Sequence, residues 1–200
     1  MKMQEKTCRS KHYLGIDPAS DGAAILIDEN GVVALSILWK KIRRKNKPRF
    51  ELRMYNPKTN QMKLCQPKRF SEIGKIIGEA IIPFENVFVA SEDAYFKPNP
   101  KVTITVSRLS GLIVAPIENY LDTECQWIKA SMWRHSVLRL NPFTKREQAK
   151  NASLKLIPGL VKGVNKVLLK LGRYDHVTDA AGVAYWLMQK DKTQNKEDKK

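Results

Sequence analysis

His12-Tyr13-Leu14-Gly15-Ile16-Asp17-Pro18-Ala19-Ser20 is a largely apolar run that ends in a carboxylate and then breaks on a proline. It predicts a buried strand over 12–17 followed by a turn at 18–22. A second strand is expected at 23–27, a turn over 28–31, and a third strand at 32–39. Three strands joined by two tight turns make an antiparallel meander. Farther along, 87–91 is apolar up to Ser91, as expected of a strand in a sheet covered on both faces.

Around these strands the helical signals fall in a consistent order. Apolar residues at helical spacing over 70–82 stop at Pro83. Pro98-Asn99-Pro100 breaks the chain before a helix over 102–120, although Pro116 and the β-branched run 102–106 work against it. A strand at 124–128 precedes helices near 131–138, 144–156 and 177–189. The predicted fold class is therefore α/β: a mixed five-stranded sheet, three antiparallel strands then two parallel, with helices on both faces.

Between 40 and 69 the composition changes. Twelve Lys/Arg stand against one acidic residue, Glu51, and the alternation over 49–55 predicts a basic β-extension, with Arg43 and Arg44 as candidate DNA contacts. Residues 191–200 are polar and charged and are expected to be a disordered tail beyond a single domain over 1–190.

The charge balance narrows the partner. The 200 residues carry 36 Lys+Arg and 20 Asp+Glu, a net charge of +16 and a pI near 9.8. Such an excess suits a polyanion. No apolar run approaches the ~20 residues of a transmembrane helix, and 1–11 lacks the apolar core of a secretory signal. The expectation is a soluble cytoplasmic protein whose partner is nucleic acid rather than membrane. Cys8, Cys65 and Cys125 lie far apart with no CxxC spacing, and all three read as free thiols.

Against that basic background, a few acidic residues stand out. Asp17 ends the first strand, Glu92 ends the 87–91 run, and Asp179 opens the small-residue helix Ala180-Ala181-Gly182-Val183-Ala184, with His176 three residues earlier. Singly, each has an ordinary reading: a turn residue before proline, a solvated loop start, a carboxylate meeting a helix dipole. Jointly they do not. In the inferred sheet Asp17 and Glu92 lie side by side at the C-terminal ends of parallel strands, where open α/β sheets bind ligands. Carboxylate oxygens suit Mg²⁺ or Mn²⁺. Two such ions ~3.5–4 Å apart would support phosphodiester hydrolysis.

Tyr13–Ser20, Ser91-Glu92 and His176–Ala184 resemble, in order and spacing, the active-site segments of RuvC-type Holliday junction resolvases, members of the ribonuclease H-like superfamily. The resemblance spans roughly residues 12–190. It implies that Asp17, Glu92, His176 and Asp179 are catalytic metal ligands for two Mg²⁺, with Mn²⁺ as substitute and Asp175 as alternative to His176. It further implies that Lys129, Arg134, Lys145, Arg146 and Lys150 face DNA, and that Phe96, with Tyr95 beside it, serves as a wedge between bases. The chain departs from the family pattern in reading Pro-Ala-Ser after Asp17 where Pro-Gly-Ser is usual, and in the length of its 40–69 segment.

The implied activity is a metal-dependent, structure-selective endodeoxyribonuclease that resolves Holliday junctions by paired symmetric nicks, leaving 5′-phosphate ends. Two nicks imply a C2 homodimer, with Leu109, Leu112, Ile113 and Ile117 of the 102–120 helix as a candidate interface. The compact size and lysine-rich extension match a phage or mobile-element version. Two alternatives remain: a ribonuclease H-fold nuclease of broader branched-DNA or RNA–DNA specificity, and a non-catalytic junction-binding protein. A sugar-kinase-type phosphotransferase shares the Gly-Ile-Asp strand end but needs two such domains and phosphate-binding glycine turns, which 200 residues do not hold here.

Overall fold

The computed structural model describes residues 10–42, 49–93, 100–172 and 175–197. Arg43, Arg44, Tyr95, Phe96 and Cys8 lie outside them. β1 (His12–Asp17), β2 (Gly22–Asp28) and β3 (Val33–Ile42) form the expected antiparallel meander. Its β2–β3 turn is fixed by Asp28, whose Oδ1 accepts from the amides of Asn30 and Val32 at 3.0 Å each. Gly31 supplies the positive φ of 71° that this turn requires.

β6 (Val87–Glu92) pairs parallel with β1, and β7 (Cys125–Ile128) pairs parallel with β6. The sheet has seven strands rather than five, in the order β5-β4-β3-β2-β1-β6-β7. The added pair is the basic extension: β4 (Arg49–Asn56) joins the edge of β3, and β5 (Gln61–Cys65) continues the hairpin. Phe50, Leu52, Met54 and Tyr55 of β4 are all buried, which fixes this hairpin to the sheet instead of leaving it to solvent.

Both faces are covered, which explains why β1 and β2 carry no polar alternation. On one face α1 (Phe70–Ile81) and α2 (Pro100–Leu121) enclose Leu14, Ile16, Ala24 and Leu26. On the other, α3 (Ala130–Leu138), α4 (Arg146–Leu160), α5 (Val164–Leu171) and α6 (Asp175–Glu197) cover Tyr13, Ala23, Ile25 and Ile27. α5 was not expected. It is eight residues long, held by Val164, Val167 and Leu171, and bracketed by Gly163 and Gly172, both at positive φ.

Other differences follow from tertiary contacts. α6 continues to Glu197 through what reads in sequence as a disordered tail. Asp191 on that helix accepts from Tyr13 Oη at 2.7 Å and Lys11 Nζ at 2.8 Å, which ties the polar stretch to β1. In α2, Ile113 and Ile117 are fully buried in their own core, and among the described residues of the helix suggested as an interface the exposed large apolar side chains are Ile104, Leu112 and Tyr120. Trp127 is 47% exposed because β7 is the edge strand. Trp133 is fully buried and Trp186 partly so. Cys65 and Cys125 are free thiols. Among the described residues, no helix is long and apolar enough to cross a membrane.

Candidate active site

The pairing Ile16↔Ser91 brings the next residues, Asp17 and Glu92, to neighbouring strand ends. α6 reaches the same edge because β1 carries glycine where the helix crosses it. A Cβ on Gly15 would lie 2.1 Å from the carbonyl oxygen of Ala180 and 2.4 Å from the amide of Ala184, so only glycine admits this approach. The small residues 180–184 are the helix's half of the same contact. Together they set the first turn of α6, with His176 and Asp179, against the end of β1.

His176 Nδ1 lies 2.5 Å from Asp17 Oδ2. Asp179 is buried, and its Oδ2 accepts from Arg134 Nη2 at 2.7 Å. Glu92 Oε2 accepts from the indole Nε1–H of Trp133 at 3.2 Å. Consecutive residues of α3 thus serve two carboxylates, and Trp133 can lie against α6 because Gly182 leaves room; a Cβ there would meet its ring at 2.3 Å. The Arg134 guanidinium carbon stands 5.1 Å from the Trp133 ring centre.

The electrostatics match a concentration of negative charge. Burial, then the charges of Asp17 and Asp179, push the Glu92 carboxyl up to about 8, against the opposing pull of Arg134 and Trp133. Burial also raises Asp179, with Arg134 as the chief opposing influence. For His176 burial disfavours the charged ring, but the hydrogen bond and charge of Asp17 outweigh it and hold the pKa above the ordinary histidine value.

A divalent cation fits this donor set on one particular observation. Asp179 Oδ1 is buried and has no hydrogen-bond partner, while the Ser153 hydroxyl nearby donates to Ala149 at 3.1 Å. A bare carboxylate oxygen has the donor chemistry a hard cation would take. Among the described residues no group of three or more His, Cys, Asp or Glu stands ready to hold a metal ion. Two of the oxygens are instead engaged by His176 and Arg134.

Of the remaining candidates, Asp175 is ion-paired with Lys150 and stands 3.8 Å from His176 Nε2. Lys129, Lys145 and Arg146 are exposed at the starts of α3 and α4. Arg134 and Lys150, expected to face DNA, are ion-paired with Asp179 and Asp175, carboxylates brought within reach by α6. Sequence reasoning missed the roles of Trp133 and Arg134 as carboxylate partners; an adjacent Trp-Arg pair carries no such signal until the helix is docked. The Pro-Ala-Ser turn manages without glycine since Ala19 does not adopt a positive φ, and its carbonyl accepts from Trp39 Nε1 at 3.0 Å.

No protein-family model and no curated protein sequence matches the chain. Solved structures do. Thermus thermophilus RuvC superposes over 91% of this chain and 96% of its own, with a TM-score of 0.50 at 12% identity. The same organism's RuvC in complex with a Holliday junction substrate covers 88% and 92%, with a TM-score of 0.52 at 14% identity. The fold is RuvC-like. Each match covers most of both chains. At this identity the likeness is one of fold, and it has no bearing on a phage or mobile-element origin.

Proposed function

We propose that the chain is a metal-dependent, structure-selective DNA endonuclease that resolves four-way junctions by paired symmetric nicks. The observation that carries this reading is the meeting of Asp17, Glu92 and Asp179, with His176, at one edge of a RuvC-like sheet in a chain of net charge +16. The neighbour solved with a Holliday junction makes branched DNA the favoured substrate class.

In this reading Asp17, Glu92, His176 and Asp179 would hold two Mg²⁺ ions, with Mn²⁺ as a substitute. Such cations would supply activation of the attacking water and stabilisation of the leaving 3′-oxygen. The chain's own residues do the rest. Trp133 fixes the carboxylate plane of Glu92 through its indole N–H, and Asp17 orients the His176 ring. Lys129, Lys145 and Arg146 neutralise the phosphate backbone as it approaches an acidic edge that would otherwise repel it. Two symmetric nicks need two such centres, so the active species is a homodimer.

The test is cleavage of a synthetic immobile four-way junction beside a linear duplex, a flap and an RNA–DNA hybrid, with sedimentation of the free and DNA-bound protein. Symmetric nicks in the junction alone, made by a dimer, are expected. Equal cleavage of all four substrates would replace junction resolution with a general nuclease, and a monomer on the junction would remove the paired-nick mechanism.

A further inference from the structure

The Arg134 guanidinium is nearly buried, with 13% of its side-chain surface exposed, and its partner Asp179 keeps 7%. Both are only half satisfied: Arg134 Nε and Asp179 Oδ1 are buried polar atoms with no hydrogen-bond partner. Structural Arg–carboxylate pairs frequently close both arms in a bidentate fork. This one is joined by a single arm, with an unused donor and an unused acceptor left in the same enclosed space. A buried ion pair is expensive to desolvate, and leaving hydrogen-bonding capacity unfilled adds to that cost. The arrangement makes sense when the pair is one of two states.

We infer that Arg134 is the resident counter-ion of the carboxylate centre, giving Asp179 up to a divalent cation and turning its guanidinium onto the phosphate to be cut. This rests on the proposed nuclease reading and adds a residue to it. Three features fit. Arg134 is the cation that engages Asp179, so a metal ion bound by both Asp179 oxygens must displace it. The Trp133 ring, 5.1 Å away, offers the freed guanidinium a flat surface along which to swing without losing all stabilisation. The planar fork matches two phosphate oxygens, which a lysine could not do. Arg134 would thus couple DNA engagement to metal loading: with the arginine on Asp179, the centre lacks both its metal ligand and its phosphate clamp.

The experiment measures Mn²⁺ binding by calorimetry, and melting in EDTA and in Mn²⁺, for wild type, Arg134→Gln and Arg134→Lys. Losing the competing charge should tighten Mn²⁺ binding by Arg134→Gln at least tenfold. That variant should melt several degrees lower than wild type in EDTA, and Mn²⁺ should remove most of the deficit. Arg134→Lys should fall between the two in affinity, which keeps the test available if the glutamine variant does not fold. Junction cleavage should drop in both variants although metal binds at least as well. Unchanged or weaker Mn²⁺ binding in both variants, or a melting deficit that Mn²⁺ leaves intact, would reduce Arg134 to a packing residue. If wild type binds Mn²⁺ and cuts junctions while the variants bind as wild type does, only the Arg134 assignment falls. If no variant binds Mn²⁺ and wild type cuts nothing, the nuclease reading falls with it.

Discussion

Replacing Glu92 by glutamine should stabilise the metal-free protein, and by an amount that grows with pH. Glu92 has its carboxyl pushed from 4.5 to about 8 by burial and by Asp17 and Asp179. Below pH 4.5 the folded and unfolded chains both carry the proton, and the site costs nothing. Between 4.5 and about 8 the unfolded chain has lost that proton while the folded chain keeps it, so stability falls as pH rises through this window. Above it the penalty is complete and flat. A shift of this size at ~1.4 kcal/mol per pH unit amounts to roughly 5 kcal/mol, and about 2 kcal/mol if solvent screens the partly open side of the residue. Glutamine is nearly isosteric with the protonated acid, and its carbonyl oxygen can still accept from Trp133. Urea unfolding of wild type and Glu92→Gln in EDTA should therefore agree near pH 4.5 and diverge by about 2–5 kcal/mol at pH 8.5, with the variant more stable. A difference that stays flat with pH, or a less stable variant at pH 8.5, would refute the electrostatic account of the centre.

Gly15→Ala places a methyl 2.1 Å from the Ala180 carbonyl, and should cost at least about 2 kcal/mol in urea unfolding by lifting α6 off β1. Lys145→Ala with Arg146→Ala should flatten the salt dependence of junction binding by about 2 in log–log slope, measured by anisotropy, with no change in thermal stability. Asp191→Asn weakens the tie to Lys11 and Tyr13, whose hydrogen bonds outweigh burial and lower the Asp191 pKa. Hydrogen exchange beyond residue 190 should accelerate, and the stability lost should be present at neutral pH and vanish in wild type as pH falls below the carboxylate range.

Much of this architecture was legible because it is written in local pattern. The largely apolar strands at 12–17 and 87–91 read as central, and the order of turns and helices gave parallel pairing of β1 with β6. The carboxylates were legible for the same reason, since each closes or opens a recognisable element. What the sequence hid depends on contacts between distant segments. The alternation over 49–55 gave the β-extension, but not that its hairpin would join the edge of β3 and raise the sheet from five strands to seven. The helix to Glu197 depends on Asp191 meeting β1, 178 residues away in sequence from Tyr13. The inward turn of Arg134 depends on where α6 places Asp179. Sequence alone does not show that a basic residue after the last strand also lies 2.7 Å from a buried carboxylate.

The central claim is that these carboxylates form a divalent-cation centre that cuts DNA, and cleavage of a 5′-labelled four-way junction by wild type and Asp17→Asn tests it most directly. With Mg²⁺ the wild type should give paired symmetric nicks with 5′-phosphate ends, abolished by EDTA and reduced at least a thousandfold by Asp17→Asn, on the order of 4 kcal/mol of transition-state stabilisation. Cleavage that survives EDTA, or an Asp17→Asn variant that cuts at the wild-type rate, would contradict the account.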